Sequence, residues 1–131
     1  MDVRLIAAIG RQGQLGLNGD MPWGRGHPED LKRFRELTTG GIVVTGHRTF
    51  ETVKHLDNTH GRRFIRDFAS LSPVRYLADV VSEFGDDRVI WIAGGAKTYA
   101  RFAPWVNEFV IRTVPYTGPA DVFLPPLWST K

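Results

Sequence analysis

Three short apolar runs in this chain each stop at a glycine. Val3 to Ile9 is interrupted only by Arg4 and ends at Gly10. Ile42-Val43-Val44-Thr45 ends at Gly46, and Val89-Ile90-Trp91-Ile92-Ala93 ends at Gly94-Gly95. Runs this short and this rich in β-branched residues read as strands covered on both faces. A glycine placed directly after them marks a tight turn out of the sheet. Helical stretches separate the runs, so the alternation predicts an α/β domain with a mainly parallel sheet flanked by helices. The 131 residues are enough for one domain, 1–131, with one real core.

The remaining segments follow from caps and period. Gly10 to Gly19 reads as a glycine-rich loop carrying the Asn18-Gly19 turn pair and leading to Met21-Pro22-Trp23. Pro28 suits the first position of a helix, and Leu31, Phe34 and Leu37 then predict a stripe facing a core. That helix exits at Thr39-Gly40-Gly41. A second helix is expected from Phe50 to about His55, then a turn over 56–61 and a weak strand over 62–66. Val74 to Leu77 is a strand candidate, Ala78 to Phe84 a short helix ended by Gly85, and Ala96 to Phe102 a helix before Pro104. Phe109 to Val114 is read as a strand and Asp121 to Pro125 as an extended piece.

Composition narrows the function classes. An apolar content of 42% with four tryptophans argues for a globular protein. No run approaches a membrane span, and the N-terminus lacks the plan of a signal peptide. The absence of cysteine removes disulfides and thiolate zinc sites and suits a reducing compartment such as the cytoplasm. The net charge of +3 comes with arginines clustered from Arg25 to Arg35 and at Arg62, Arg63 and Arg66. Without the aromatic-basic ladder of a single-strand binder, this favours a small anionic ligand over nucleic acid.

Chemistry concentrates at three places. Asp30 sits in the first helical turn, four residues before Phe34. It is read either as a carboxylate complementing the helix dipole or as a lone acid at the edge of an apolar pocket, placed to handle a proton. Gly46-His47-Arg48-Thr49 and Gly94-Gly95 each pair a strand end with a helix start, where backbone N–H groups can meet an anion. Strand-to-helix turns use glycine in any case, but two such ends in one sheet favour a dinucleotide over a single phosphate. Neither matches the Rossmann fingerprint or a P-loop. His27, His47, His55 and His60 show no metal-ligand spacing, so no metal is expected. Arg62 after Gly61 is either a clamp for a carboxylate or a solvated surface arginine.

These motifs occur in one order. Leu5-Ile6-Ala7-Ala8, Leu15-Gly16, Met21-Pro22-Trp23, Pro28-x-Asp30-Leu31-x-x-Phe34, Thr45-Gly46-x-x-Thr49-Phe50-Glu51, Gly61-Arg62 and Ala93-Gly94-Gly95-x-x-x-Tyr99 follow one another along the chain. Together they resemble dihydrofolate reductase from residue 3 to about 125. The resemblance implies NADPH-dependent reduction of dihydrofolate to tetrahydrofolate, within one-carbon metabolism. Hydride would pass to pterin C6, and N5 would take its proton through water. It assigns the cofactor to Ala8, Leu15, Gly46, His47, Arg48, Thr49, Gly94, Gly95, Ala96, Lys97 and Thr98. The substrate falls to Ile6, Ala7, Asp30, Leu31, Phe34, Val53, Arg62, Ala93 and Tyr99. Asp30 would anchor the pterin, Met21 and Trp23 would close over the reacting rings, and Arg62 would receive the glutamate α-carboxylate.

Departures from the family pattern carry expectations of their own. The loop between Trp23 and Asp30 is lengthened. Phe64-Ile65-Arg66-Asp67 replaces the family's usual strand, with Arg66 as a substitute cation for the adenosine 2′-phosphate. Ala93 stands where a larger aliphatic is usual, and Arg112-Thr113 falls opposite Asp30. The family's C-terminal β-hairpin is missing, so the strand at Phe109 to Val114 is expected either to pair with a second copy or to be covered by the tail bearing Trp128. Two alternatives keep the scaffold: a reductase of another pterin or pyrimidine, and a non-catalytic nucleotide-binding or structural protein.

Overall fold

The computed structural model describes residues 1–24 and 26–125. The chain order is β1 (Asp2–Ile9), β2 (Gln14–Gly16), α1 (Pro28–Thr38), β3 (Ile42–Thr45), α2 (His47–Val53), β4 (Arg63–Arg66), α3 (Pro73–Phe84), β5 (Val89–Ile92), α4 (Ala96–Phe102), β6 (Glu108–Thr113) and β7 (Val122–Phe123). Short 3-10 turns occupy Lys54–Leu56, Thr59–Gly61 and Ala103–Trp105.

Five strands form one sheet in the order β4-β3-β5-β1-β6, and every pairing in it is parallel. Parallel pairing needs crossovers, and the helices between the strands supply them, as the alternation of runs predicts. The register sets Leu5 beside Ile92, and Ile92 in turn beside Val44. All four residues of β3 are buried, which is why that run shows no polar alternation. Leu5, Ile42, Ile90, Ile92 and Phe102 are almost wholly removed from water and centre the core. Each such side chain stabilises the fold by about 1.5–3 kcal/mol. β6 is the last strand of the sheet on its side among the described residues.

Several segments differ from their sequence reading. Val74 to Leu77 is not a strand but the start of α3. Pro73 takes the first turn, and the Ser72 hydroxyl accepts from the Arg75 amide at 3.2 Å, a cap that outweighs the local β propensity. Tyr76, Leu77 and Val80 are the face that α3 buries. The 10–19 loop contains β2, which pairs antiparallel with β7. Within that loop Asn18 and Gly19 both have positive φ, 52° and 82°, and Leu17 and Asp20 exchange backbone hydrogen bonds across them. That is the hairpin turn their sequence signals. α2 begins at His47, earlier than Phe50, because Gly46 is already extended and the Phe50 amide reaches back to its carbonyl.

α1 spans the expected residues but not the expected environment. Of its eleven residues only Thr38 is buried, and Leu31 and Leu37 are exposed while Phe34 is half-buried. Lys32, Arg33, Arg35 and Glu36 fall between the apolar positions, as on any amphipathic helix, so the spacing gives a stripe without specifying what packs on it. The expected covering tail, with Trp128, lies outside the described residues.

Candidate active site

The carboxyl ends of β1, β3 and β5 are tied into one shelf. The Gly46 amide donates to the Gly94 carbonyl at 2.7 Å, and the Ala93 amide to the Val44 carbonyl at 2.9 Å. From α4, the Tyr99 hydroxyl donates to the Ile6 carbonyl at 2.7 Å. Tyr99 is buried, and burial pushes its hydroxyl well above the usual phenol range, so it stays a donor. Ile6, Ala7 and Ala8 from β1, Gly46 to Thr49 from the β3 end, and Ala93 to Thr98 from the β5 end thus belong to one edge. Open α/β sheets bind ligands at this edge.

Two glycines make the shelf possible. A Cβ on Gly46 would meet the Thr98 hydroxyl at 2.6 Å, so no side chain fits between the two turns. Gly94 has φ of 127°, a conformation that favours glycine. Over Gly95 an added Cβ would find only the Thr49 hydroxyl, at 3.8 Å, which leaves its backbone open to a ligand. The first amides of α2 and α4 have no intrahelical acceptor. The buried Thr45 hydroxyl, at the end of β3, lacks a hydrogen-bond partner among the described residues. A cradle without side chains, free donors and neighbouring cations suit a dinucleotide's phosphates.

Beside the shelf lies a cavity of about 330 Å³ lined by Gly46, His47, Arg66 to Ser70, Lys97, Thr98 and Arg101. Arg66 donates from its guanidinium to His47 Nδ1 at 2.9 Å. This leaves Nε2 of a neutral His47 as the protonated nitrogen. Asp67 and Arg101 pair at 2.8 Å, with the Asp67 side chain only 6% exposed. Arg48 is exposed at the start of α2.

A second cavity of about 360 Å³ is lined by Gly26 to Asp30 and by Arg112 to Pro115. Asp30 and Arg112 therefore share one space, although no hydrogen bond or ion pair joins them. Trp23 is half-buried, with its ring edge-on to Tyr116 at 5.6 Å and to His27 at 5.9 Å between centroids. Met21, also half-buried, donates its amide to the Asp20 carboxylate at 2.7 Å. The loop holding both is fastened to the segment before β7: Gln14 Nε2 donates to the Gly118 carbonyl at 3.1 Å, and the Asn18 amide to the Asp121 carboxylate at 3.0 Å. Leu15 packs against the core from this loop.

Arg62 is buried to 3% exposure and is not a solvated surface residue. Its guanidinium donates to the Thr59 carbonyl and hydroxyl and, at 3.4 Å, to the Thr38 hydroxyl at the end of α1. Burial, with Arg35 nearby, holds its pKa below the ordinary arginine value. Val53 is half-buried at the end of α2, and Ala93 half-buried after β5. The two cavities share no lining residue: Asp30 lines one and Gly46 the other. Asp67, Phe68, Arg101 and Gln14 escape sequence reasoning, because each acts through tertiary contacts that no local spacing signals.

This arrangement defines a parallel α/β protein with a shelf of glycine turns at its strand ends and a separate cavity that bears Asp30. The family model for dihydrofolate reductase matches residues 2–131, and the chain belongs to that family of oxidoreductases. It is 33% identical to dihydromethanopterin reductase of Methylorubrum extorquens, over 98% of this chain and 93% of that protein. It is 32% identical to dihydrofolate reductase type A13 of Escherichia coli, over 95% of this chain and 78% of that protein. Dihydrofolate reductase HdrB of Haloferax volcanii is also 32% identical, over 92% and 69% respectively. Among the described residues no helix is long and apolar enough to cross a membrane, and no cluster of His, Asp and Glu suits a metal.

Proposed function

We propose that this protein reduces a dihydropterin with NADPH, and that dihydrofolate is the substrate. The observation that carries the reading is the shelf itself: Gly46 bonded to Gly94, Tyr99 bonded to Ile6, and open backbone over Gly95. Gly46 to Thr49 and Gly94 to Thr98 would hold the cofactor's phosphates, with Ala8 and Leu15 toward the nicotinamide. Arg66 and His47, paired at 2.9 Å, suit a 2′-phosphate and hence NADPH over NADH. When bound, NADPH supplies a hydride to the pterin ring.

The chain's own residues do the rest. Asp30 accepts hydrogen bonds from the pyrimidine edge of the pterin, and Ile6, Ala7, Leu31, Phe34, Val53 and Ala93 bound the ring and its tail. Met21 and Trp23 exclude water from above, so that N5 takes its proton in a restricted space. Arg62 receives a tail carboxylate, which favours folate. A second reading, reduction of dihydromethanopterin, is supported by the name of the Methylorubrum extorquens relative, which aligns over 93% of its own length. We place the reaction in the cytoplasm, and self-association along β6 belongs to the same proposal; a monomeric mass by light scattering at high concentration would count against it.

NADPH oxidation measured with dihydrofolate and with dihydromethanopterin, for wild type and Asp30→Asn, tests the reading. Wild type should turn over dihydrofolate faster, and Asp30→Asn should lose about tenfold to a hundredfold in kcat/KM, as for hydrogen bonds to a charged group. No turnover of either substrate would sink the enzyme reading, and preference for dihydromethanopterin would select the second.

A further inference from the structure

The cavity that bears Asp30 has a cationic wall that the proposed reaction leaves unused. Parallel pairing sets Arg112 of β6 beside Ala8 of β1, and Val110 beside Ile6. Side chains alternate along a strand, so these four share one face of the sheet, while Leu5, Ala7 and Ile111 belong to the core on the other. Arg112 therefore stands on the face that presents Ile6, a residue assigned above to the substrate. The backbone just after it is fixed to β1 and its exit: the Val114 amide donates to the Ile9 carbonyl at 2.8 Å, and the Arg11 amide to the Tyr116 carbonyl at 2.9 Å. Asp30, from α1, lines the same cavity of about 360 Å³. Among the described residues neither the Asp30 carboxylate nor the Arg112 guanidinium has an ion-pair or hydrogen-bond partner, so both are open to a ligand between them.

An ionised carboxylate can only accept hydrogen bonds, and a guanidinium can only donate them. Together they match a ring edge that carries an N–H next to a carbonyl, as a cyclic amide does. They mismatch an edge on which an amino group replaces that carbonyl. There the guanidinium would meet a donor, and a ring that took up a proton beside Asp30 would set a second cation against Arg112. His27 and Glu29 are the other ionisable groups lining this cavity. Glu29 is exposed and adjacent to Asp30 on α1, so the two carboxylates leave the helix in different directions. Resting on the assignment of the pterin to Asp30, we infer that Arg112 is a specificity-determining residue, donating to the ring carbonyl next to the N–H that Asp30 accepts. It selects uncharged oxo-substituted rings and works against cationic amino-substituted ones, the repulsive half of the discrimination.

Calorimetric titration of the full chain with 6,7-dimethylpterin, which has the oxo edge, and with 2,4-diamino-6,7-dimethylpteridine, which has the amino edge, tests the assignment. Arg112→Gln should weaken the pterin by about tenfold, as for one hydrogen bond to a charged group, and tighten the diaminopteridine. The ratio of the two affinities then moves by more than either alone, which a merely structural role would not produce. Arg112→Lys keeps the charge and should hold the ratio near wild type, and Glu29→Gln should leave it unmoved. KM for dihydrofolate should rise in Arg112→Gln at nearly constant kcat, the mark of a contact made equally in ground and transition states. If Arg112→Gln weakens both ligands alike, or neither, the selecting role is overturned, and weakening of both by Asp30→Asn leaves the pterin assignment standing. A shift of the ratio in Glu29→Gln as large as in Arg112→Gln would overturn it too, since general cavity charge would then suffice. Failure of the wild type to bind either pteridine would overturn both.

Discussion

Gly46 donates its amide to the carbonyl of Gly94 at 2.7 Å, and this bond carries the β3–β5 pairing past the strand ends, between residues 48 positions apart in sequence. On its other side Gly46 faces the Thr98 hydroxyl so closely that a Cβ would stand 2.6 Å away. The two turns can approach because neither contributes a side chain at the crossing.

Gly46→Ala should therefore separate the turns. The overlap involves a buried hydroxyl on a helix, so relief requires Thr98 to rotate or its helix to shift, at a cost of about 1–3 kcal/mol. Thermal denaturation should show the loss of stability, and NADPH affinity should fall with it. Thr98→Ala removes the atom in conflict, so the double variant should recover most of both; equal effects with and without Thr98→Ala would refute the steric account.

How far the sequence foretold this follows from where each signal resides. β3 and β5 were legible because burial along nearly their whole length leaves a run of consecutive apolar residues, and Gly46 and Gly94 were legible because they end such runs. The stripe on α1 misled: Leu31, Phe34 and Leu37 have core spacing, but spacing cannot say whether a cleft or a core lies opposite. Val74 to Leu77 misled because β-branched and aromatic residues also serve a helix once Ser72 and Pro73 start it. The Asp67–Arg101 pair was invisible, since its partners stand 34 positions apart.

The loop carrying Met21 and Trp23 is anchored by Gln14, which is 2% exposed. Its amide accepts from the Gln12 backbone at 2.8 Å and donates to Gly118 at 3.1 Å, binding the loop's base to the segment before β7. Gln14→Ala removes two part-buried hydrogen bonds, to the Gln12 amide and the Gly118 carbonyl, at a net cost of about 0.5–1.5 kcal/mol each. The expected result is a lower kcat with a smaller change in NADPH affinity, together with faster hydrogen exchange at the Leu124 amide, which bonds to Gly13. Unchanged exchange would mean that Gln14 is not the anchor.

Asp57 supplies a pH dependence. Burial pushes its carboxyl up, but the Phe64 amide, the Arg63 guanidinium and the Asn58 amide outweigh it, and the pKa is lowered. A carboxyl lowered in the folded state stabilises above its unfolded pKa, near about 3.9. That stability is lost as pH falls through the folded value. Asp57→Asn should therefore flatten the acid side of the stability curve and destabilise at neutral pH by about 1–3 kcal/mol. Equilibrium denaturation at pH 7 and pH 3 reads both, and an equal loss at the two pH values would contradict the assignment.

Arg62 permits the sharpest separation of structure from recognition. Its guanidinium is braced by Thr59 and Thr38, and among the described residues no carboxylate bonds it. A buried cation without a counter-ion is costly, so an anionic ligand has much to gain there. Arg62→Lys keeps the charge but loses the planar fork that braces the threonines and meets a carboxylate with two parallel bonds. KM for dihydrofolate should rise by about tenfold to a hundredfold, as expected for charge-assisted hydrogen bonds. KM for a dihydropterin without the glutamate tail should stay nearly constant, because that substrate never reaches the guanidinium. If both KM values rise together, the brace to Thr38 and Thr59 is the residue's whole function, and the tail carboxylate is held elsewhere.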